Sequence, residues 1–272
     1  MTAPDNDTVF DHSIPRLYET HLVPLIFEPY AVDVGERLVS RSLERVLEIA
    51  AGTGVVTRRL ASALPDDVAI VATDLNQPML DQAAAIGVAR PVEWRQADAM
   101  RLPFKDASFD AVVCQFGVMF FPDKPTAFAE ARRVLRPGGV LIFSAWDRIE
   151  ENEFADVVTT TVGSMFPEAP PGFLARVPHG YHDKATIARD VAAGGFATPP
   201  HIETVAARSR ATSARIPAVG YCEGTPLRNE IEARDASRLA EATDAAARAI
   251  AERFGRGPVD AKIQAHIVTV EN

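Results

Sequence analysis

The stretch Val46-Leu47-Glu48-Ile49-Ala50-Ala51-Gly52-Thr53-Gly54 constrains this chain more than any other. Its apolar start reads as a strand, its small residues as a tight turn, and Val55 to Ala63 as the helix that follows. The first N–H groups of such a helix have no internal partners and face whatever lies beyond the strand. Gly52 and Gly54 carry no side chain, so a ligand can come close to the backbone there. This unit predicts an α/β fold that binds a nucleoside-containing cofactor.

A dinucleotide fingerprint starting at Gly52 requires a third glycine at position 57, where the residue is Thr57. Val68 to Thr73 reads as a second strand ending at Asp74, 20 residues beyond Gly54. That is the spacing at which a carboxylate meets ribose hydroxyls in nucleoside-binding βαβ units. The competing reading makes Asp74 the N-cap of a helix beginning near Gln77. A third strand, Val92 to Gln96, leads into Ala97-Asp98-Ala99-Met100-Arg101-Leu102-Pro103-Phe104, where Asp98 by itself reads as a loop aspartate. Phe109 to Val118 is nearly continuously apolar, as expected of a strand buried on both faces. Gln115, Phe116 and Gly117 mark its carboxyl end, the edge where open α/β sheets bind ligands. A helix follows Asp123 and runs to Leu135; a Pro137-Gly138-Gly139 turn then precedes a fifth strand from Val140.

In content and order these segments, roughly residues 44–147, resemble the class I S-adenosylmethionine-dependent methyltransferases. The methyltransferase type 11 group, which includes the ubiquinone and menaquinone biosynthesis enzymes, is the nearest pattern. The resemblance implies a Rossmann-like, doubly wound, seven-stranded and mostly parallel sheet with a C-terminal antiparallel hairpin. His201 to Val205 and Ala261 to Val270 alternate as that hairpin requires. It also implies S-adenosyl-L-methionine as cofactor, with Glu48 orienting the methionine amino group. Ala50 stands where the family's glycine motif begins, and Gly52 and Gly54 match it. By the same resemblance Asp74 binds the ribose hydroxyls, and Leu75 and Met79 belong to the second motif beside the adenosine. Asp98 accepts from the adenine amine, the Ala99 N–H donates to a ring nitrogen, and Gln115 and Phe116 complete the set. An aromatic face such as Phe116 suits a positive sulfur. Gln115 to Met119 lacks the asparagine-valine sequence of the quinone enzymes, so the expected acceptor is another small, partly apolar metabolite, methylated on O, N or C. A non-catalytic regulatory module binding S-adenosylmethionine or S-adenosylhomocysteine is the alternative. A nicotinamide-dependent oxidoreductase is disfavoured by Thr57.

At 272 residues and 47% hydrophobic content, the chain can bury a sizeable core as a single domain. A net charge of −9 argues against sequence-independent nucleic-acid binding, and Arg132, Arg133 and Arg136 read as a solvated helix end. Cys114 and Cys222 suit neither a disulfide framework nor a zinc site, and no metal is expected. The polar start is unlike a signal peptide, and no apolar run reaches the ~20 residues needed to cross a bilayer. A cytoplasmic protein with a small-molecule substrate and no membrane partner is expected.

Residues 1–43 read as an N-terminal helical cap, with helices through Pro24-Leu25-Ile26-Phe27 and around Ala31 to Leu43. Tyr18 and Tyr30 there are candidates for lining a substrate pocket, with plain packing as the alternative. Residues 148–183 read as a substrate-covering insertion, in which Phe166 to Leu174 holds too many prolines for a regular element and Phe173 is a candidate lining residue. His179 and His182 close it as candidate general bases, although Asp183 also reads as the N-cap of a helix from Lys184 to Ala193. Residues 184–272 complete the fold with an inserted helical pair whose longer member stops at Gly255. That pair serves either as a pocket roof or as a homodimer surface.

Overall fold

A computed structural model describes residues 6–8, 10 and 13–272. Its elements in chain order are α1 (Ile14–Leu17), a π-helix (Tyr18–Phe27), α2 (Glu28–Val39), β1 (Arg45–Ile49), α3 (Val55–Ala63), β2 (Ala69–Asp74), α4 (Gln77–Ile86), β3 (Glu93–Gln96) and β4 (Phe109–Gln115). There follow α5 (Lys124–Val134), β5 (Leu135–Trp146), α6 (Glu153–Met165), α7 (Phe173–Arg176), α8 (Lys184–Ala193), β6 (His201–Ala211), α9 (Arg215–Glu223), α10 (Leu227–Asp235), α11 (Leu239–Phe254) and β7 (Val259–Glu271). Short 3₁₀ turns join several of them. Among the described residues no helix is long and apolar enough to cross a membrane.

The strands form one seven-stranded sheet in the order β3-β2-β1-β4-β5-β7-β6, with β1 to β5 parallel and the C-terminal pair antiparallel. The chain therefore builds outward from β1 to β3, then returns to the other side of β1 for β4. That reversal is the point at which open α/β sheets bind ligands, at the carboxyl ends of the strands.

The chain divides into two compact units. One comprises Glu28–Ala145, Tyr181–Val205 and Ala265–Asn272 and holds the parallel strands. Its strands are apolar on both faces, as Val46, Leu47, Ala111, Val112 and Val113 are all buried. The other comprises the described part of Met1–Phe27 with Trp146–Gly180 and Ala206–Gln264. There α11 packs on α6 and α9 and buries Ala242, Ala246 and Ile250, one stripe at helical spacing. The π-helix of this unit contains Pro24, and the Tyr18 ring stacks on Phe27, nine residues on, at 4.9 Å between centroids. Nine residues are about two and a half α-helical turns, so this contact on one face requires the wider winding.

Three sequence expectations are corrected. β5 begins at Leu135 rather than Val140, because Gly138 and Gly139 exchange backbone hydrogen bonds of 2.9 Å with Asn272 and are drawn into the sheet. The irregularity appears as a register shift between Phe109↔Leu135 and Ala111↔Val140. The insertion at 148–183 holds regular structure, since α6 occupies Glu153–Met165 ahead of the proline-rich segment and α7 begins at Phe173 within it. The second N-terminal helix is Glu28–Val39, earlier than Ala31 to Leu43. The helices at Val55–Ala63 and Lys184–Ala193 stand as read, the latter capped by the Asp183 carboxylate, which accepts from Thr186 N at 2.7 Å.

At the reversal point the backbone is strained. Ala50 and Phe116, just past the ends of β1 and β4, both take left-handed conformations, φ 55° each. A Cβ on Gly117 would lie 2.5 Å from the Ala50 Cβ and 2.7 Å from Cys114 Sγ. We predict that Gly117→Ala destabilises the protein by about 1–3 kcal/mol. Ala50→Gly in the double variant should return part of that loss, because one of the two opposed methyls is then gone. Urea unfolding of the four proteins measures it, and additive single effects would contradict the contact.

Candidate active site

Glu48 lies inside β1, 1% exposed, and its Oε2 accepts the Thr57 hydroxyl at 2.5 Å. Thr57 stands on the first turn of α3, so helix and strand are tied across the glycine turn between them. Burial pushes the Glu48 carboxyl up to about 8, with the Thr57 hydrogen bond opposing the rise and the nearby Asp74 charge adding to it. The turn itself has left-handed backbone at Ala50, Gly52 and Gly54. A side chain at Gly54 would meet the Trp94 ring at 2.9 Å. Thr53, within the turn, is buried, and its Oγ1 has no hydrogen-bond partner among the described residues.

Asp74 ends β2 at 7% exposure, and each of its oxygens takes one backbone N–H: Oδ2 from Gly52 and Oδ1 from Asn76, both at 2.8 Å. The helix α4 is therefore capped at Asn76, not Asp74. Burial raises the Asp74 carboxyl, and the Asn76 and Gly52 hydrogen bonds oppose that rise. The Leu75 N–H and the Asn76 side chain also hydrogen-bond this carboxylate, so it is held from several sides at the end of β2. The Asp74 carbonyl accepts from Ala97 N at 3.0 Å, and Leu75 O accepts from Gln96 Nε2 at 2.8 Å, so the loops after β2 and β3 are bonded together. Leu75 is 50% exposed, whereas Met79 is buried. Asp98 is exposed; its Oδ1 accepts from Met100 N at 2.9 Å, and Ala99 beside it is buried.

Across the reversal point, Gln115 is half-buried at the end of β4, and the buried Phe116 meets Tyr30 edge-on at 5.3 Å. Phe116 N donates to both O and Oγ of Ser144, at 3.2 and 3.1 Å. Tyr30 itself is buried, with its hydroxyl donating to Val205 O at 3.2 Å. The structure thus brings Glu48, the glycine turn, Asp74, Asp98, Gln115 and Phe116 to the carboxyl edge of one sheet. Sequence reasoning missed Thr57 and Ser144 as supports. Ser144 carried a signal, a hydroxyl inside an otherwise apolar strand, while Thr57 registered only as an absent glycine.

The remaining candidates are placed as follows. His182 is half-buried next to the capping Asp183. In the other unit, Phe173 is fully buried at the start of α7 and Tyr18 is half-buried on Phe27. His179 is buried 6.0 Å from the Trp146 ring, with Nδ1 2.8 Å from the Asp147 carbonyl. A carbonyl only accepts, so Nδ1 carries the proton in that contact. The arginine cluster is not a solvated helix end: Arg133 and Arg136 are ion-paired, with Glu130 and Asp106 and with Glu44 and Asp110 respectively.

Residues 47–143 match the family model described as a methyltransferase domain. A ubiquinone/menaquinone biosynthesis C-methyltransferase of Saccharophagus degradans is 31% identical over 170 residues, covering 58% of this chain and 68% of its own length. The chain belongs to the class I S-adenosylmethionine-dependent methyltransferases. A second relative of the same description, from Teredinibacter turnerae, is 41% identical over 103 residues, 36% of this chain and 41% of its own length. The YcgJ protein of Bacillus subtilis shares the fold, with a TM-score of 0.56 at 18% identity over 90% of this chain and 98% of that one.

The cofactor of this methyltransferase is S-adenosyl-L-methionine. The residues present fit it: a bare backbone turn, a buried hydroxyl at Thr53 still lacking a partner, and acceptor carboxyls on adjacent strand ends for a cationic ligand rich in donors. In the ligand-free protein the raised Glu48 carboxyl keeps a proton that the unfolded chain releases near pH 4.5. The stability gained is full below that pH and is lost as pH climbs from about 4.5 to about 8. We predict that Glu48→Gln, which cannot titrate, flattens this part of the profile. Unfolding free energies measured in urea at about pH 5, 6.5 and 8 decide it; a variant that tracks the wild type across that range would refute the assignment.

Proposed function

We propose that this methyltransferase moves a methyl group from S-adenosyl-L-methionine to a small, partly apolar metabolite. The observation that carries the cofactor geometry is the bonded series Glu48–Thr57, Gly52–Asp74 and Asp74–Ala97, which fixes three neighbouring strand ends in one register. On this reading the Asp74 carboxylate accepts from the ribose hydroxyls, Asp98 Oδ2 accepts from the adenine amine and Ala99 N–H donates to the ring. Leu75 and Met79 flank the adenosine, Glu48 orients the methionine amino group, and Gln115 and Phe116 line the edge of the cofactor near its sulfur.

The cofactor brings an activated methyl on a positive sulfur. The chain contributes alignment and exclusion of water, which together can supply roughly 7–11 kcal/mol in favourable cases. Carbon is the favoured acceptor atom, because the relatives matched are named as C-methyltransferases. Their match reaches 68% of one relative and 41% of the other, and Gln115 to Met119 lacks the asparagine-valine sequence of the quinone enzymes, so a quinone acceptor does not follow from it. Tyr18, Tyr30, Phe173, His179 and His182 are proposed on the acceptor side, the two histidines as proton acceptors. The division into an N-terminal cap, a core at 44–147, an insertion at 148–183 and a C-terminal completion is proposed as the functional layout.

Two outcomes test the reading. Incubation with S-adenosylmethionine and a panel of phenolic, quinone-like and enol-bearing metabolites should release S-adenosylhomocysteine with at least one of them; binding without release across the panel favours a regulatory module. Asp74→Asn should weaken S-adenosylhomocysteine binding about tenfold or more, about 1.4 kcal/mol, by removing one acceptor from the ribose. Equal calorimetric affinities would leave Asp74 only its loop-bracing role.

A further inference from the structure

We propose that Arg133 and Glu130, on the last two turns of α5, are positioning residues that set how strictly this methyltransferase reads the nucleobase of its cofactor. The inference rests on the assignment of Asp98 and Ala99 to adenine.

Arginine has five N–H donors in a planar fork, and all five are used here. Nε donates to Glu130 Oε1 at 2.7 Å, and one terminal nitrogen to Phe104 O at 2.8 Å and Asp106 Oδ1 at 2.7 Å. The other terminal nitrogen donates to Leu102 O at 3.0 Å and Glu130 Oε2 at 2.8 Å. Glu130 Oε2 also accepts from Leu102 N at 2.8 Å, so Leu102 is held at both its N–H and its carbonyl. The backbone continues the attachment: Ala107 N donates to Arg133 O and Ser108 N to Val134 O, at 2.9 and 2.8 Å.

What this fastens is the segment just after Asp98 and Ala99, which belongs to no helix and no strand of the sheet. Its turn is closed by Asp98 alone, through Met100 N on Oδ1 and Arg101 N on the carbonyl, at 2.9 and 3.0 Å. Among the described residues Asp98 Oδ2 accepts no hydrogen bond, which leaves that oxygen to the ligand. Upstream, the pairing Asp74↔Gln96 and the Ala97–Asp74 hydrogen bond fix where the turn starts. Downstream, the Arg133–Glu130 fork fixes where it ends. Without the downstream anchor the Asp98 carboxylate can swing about Ala97, and a single acceptor aimed at an exocyclic amine loses its aim. Arg133 and Asp106 are 30% and 79% exposed, and ion pairs of that kind contribute little stability. Five donors converging on four residues give direction instead.

The test compares S-adenosylhomocysteine with S-inosylhomocysteine, which replaces the exocyclic amine by a carbonyl, using calorimetry on the wild type and on Arg133→Lys, Glu130→Gln and Asp98→Asn. The wild type should prefer the adenosyl compound about tenfold or more, since the inosine carbonyl faces a carboxylate. Asp98→Asn, whose amide can donate to that carbonyl, should shrink the preference severalfold. Arg133→Lys keeps the charge and loses the fork; it should cut the preference about threefold or more while speeding hydrogen exchange at residues 99–106. Glu130→Gln should do the same and carries the test if the lysine variant does not fold. Full wild-type preference in both α5 variants overturns the positioning role. Undiminished preference in Asp98→Asn overturns the adenine assignment instead.

Discussion

Ala50 leaves β1 with a left-handed backbone, and the missing side chain at Gly117, just after β4, leaves the room that the Ala50 methyl occupies. A left-handed alanine costs about 1 kcal/mol or more and persists only where its surroundings over-determine it. Here the surroundings are two strand ends meeting where the order of the sheet reverses. The bend at Ala50 turns the following residues toward β2, which lets Gly52 N reach the Asp74 carboxylate. Asp74 in turn holds the start of the next loop through Ala97. A local conformational choice is thus passed from strand to strand through hydrogen bonds, and the arrangement of the three strand ends is its sum.

That edge is electrostatically one-sided. Glu48 and Asp74 are both buried, both carboxyls are raised, and the charge on Asp74 is one cause of the Glu48 shift. A ligand bearing a sulfonium and an ammonium is the natural complement, because positive charge delivered to this spot favours the ionised acids that burial disfavours.

Much of this was legible in the chain because the signals were local. Glycines at turns, the aspartate at 183, the apolar run at 109–115 and the stop at Gly255 each act within a few residues of themselves. What stayed hidden is non-local. The entry of Leu135 to Gly139 into the sheet depends on Asn272 at the far end of the sequence. The engagement of Arg133 depends on Leu102 and Phe104, some thirty positions earlier. A run of arginines at a helix end says only that charge is present, and the acceptors that give it a direction come from backbone carbonyls that no side-chain pattern announces.

The Tyr18–Phe27 stack has a mechanical meaning. In an ordinary α-helix those two rings would point in opposite directions, so their contact works as a latch that keeps the segment overwide. Tightening it to the usual pitch would spin one ring half a revolution away from the other and lengthen the segment along its axis. The width of this segment is thus set by a ring contact as well as by its backbone hydrogen bonds.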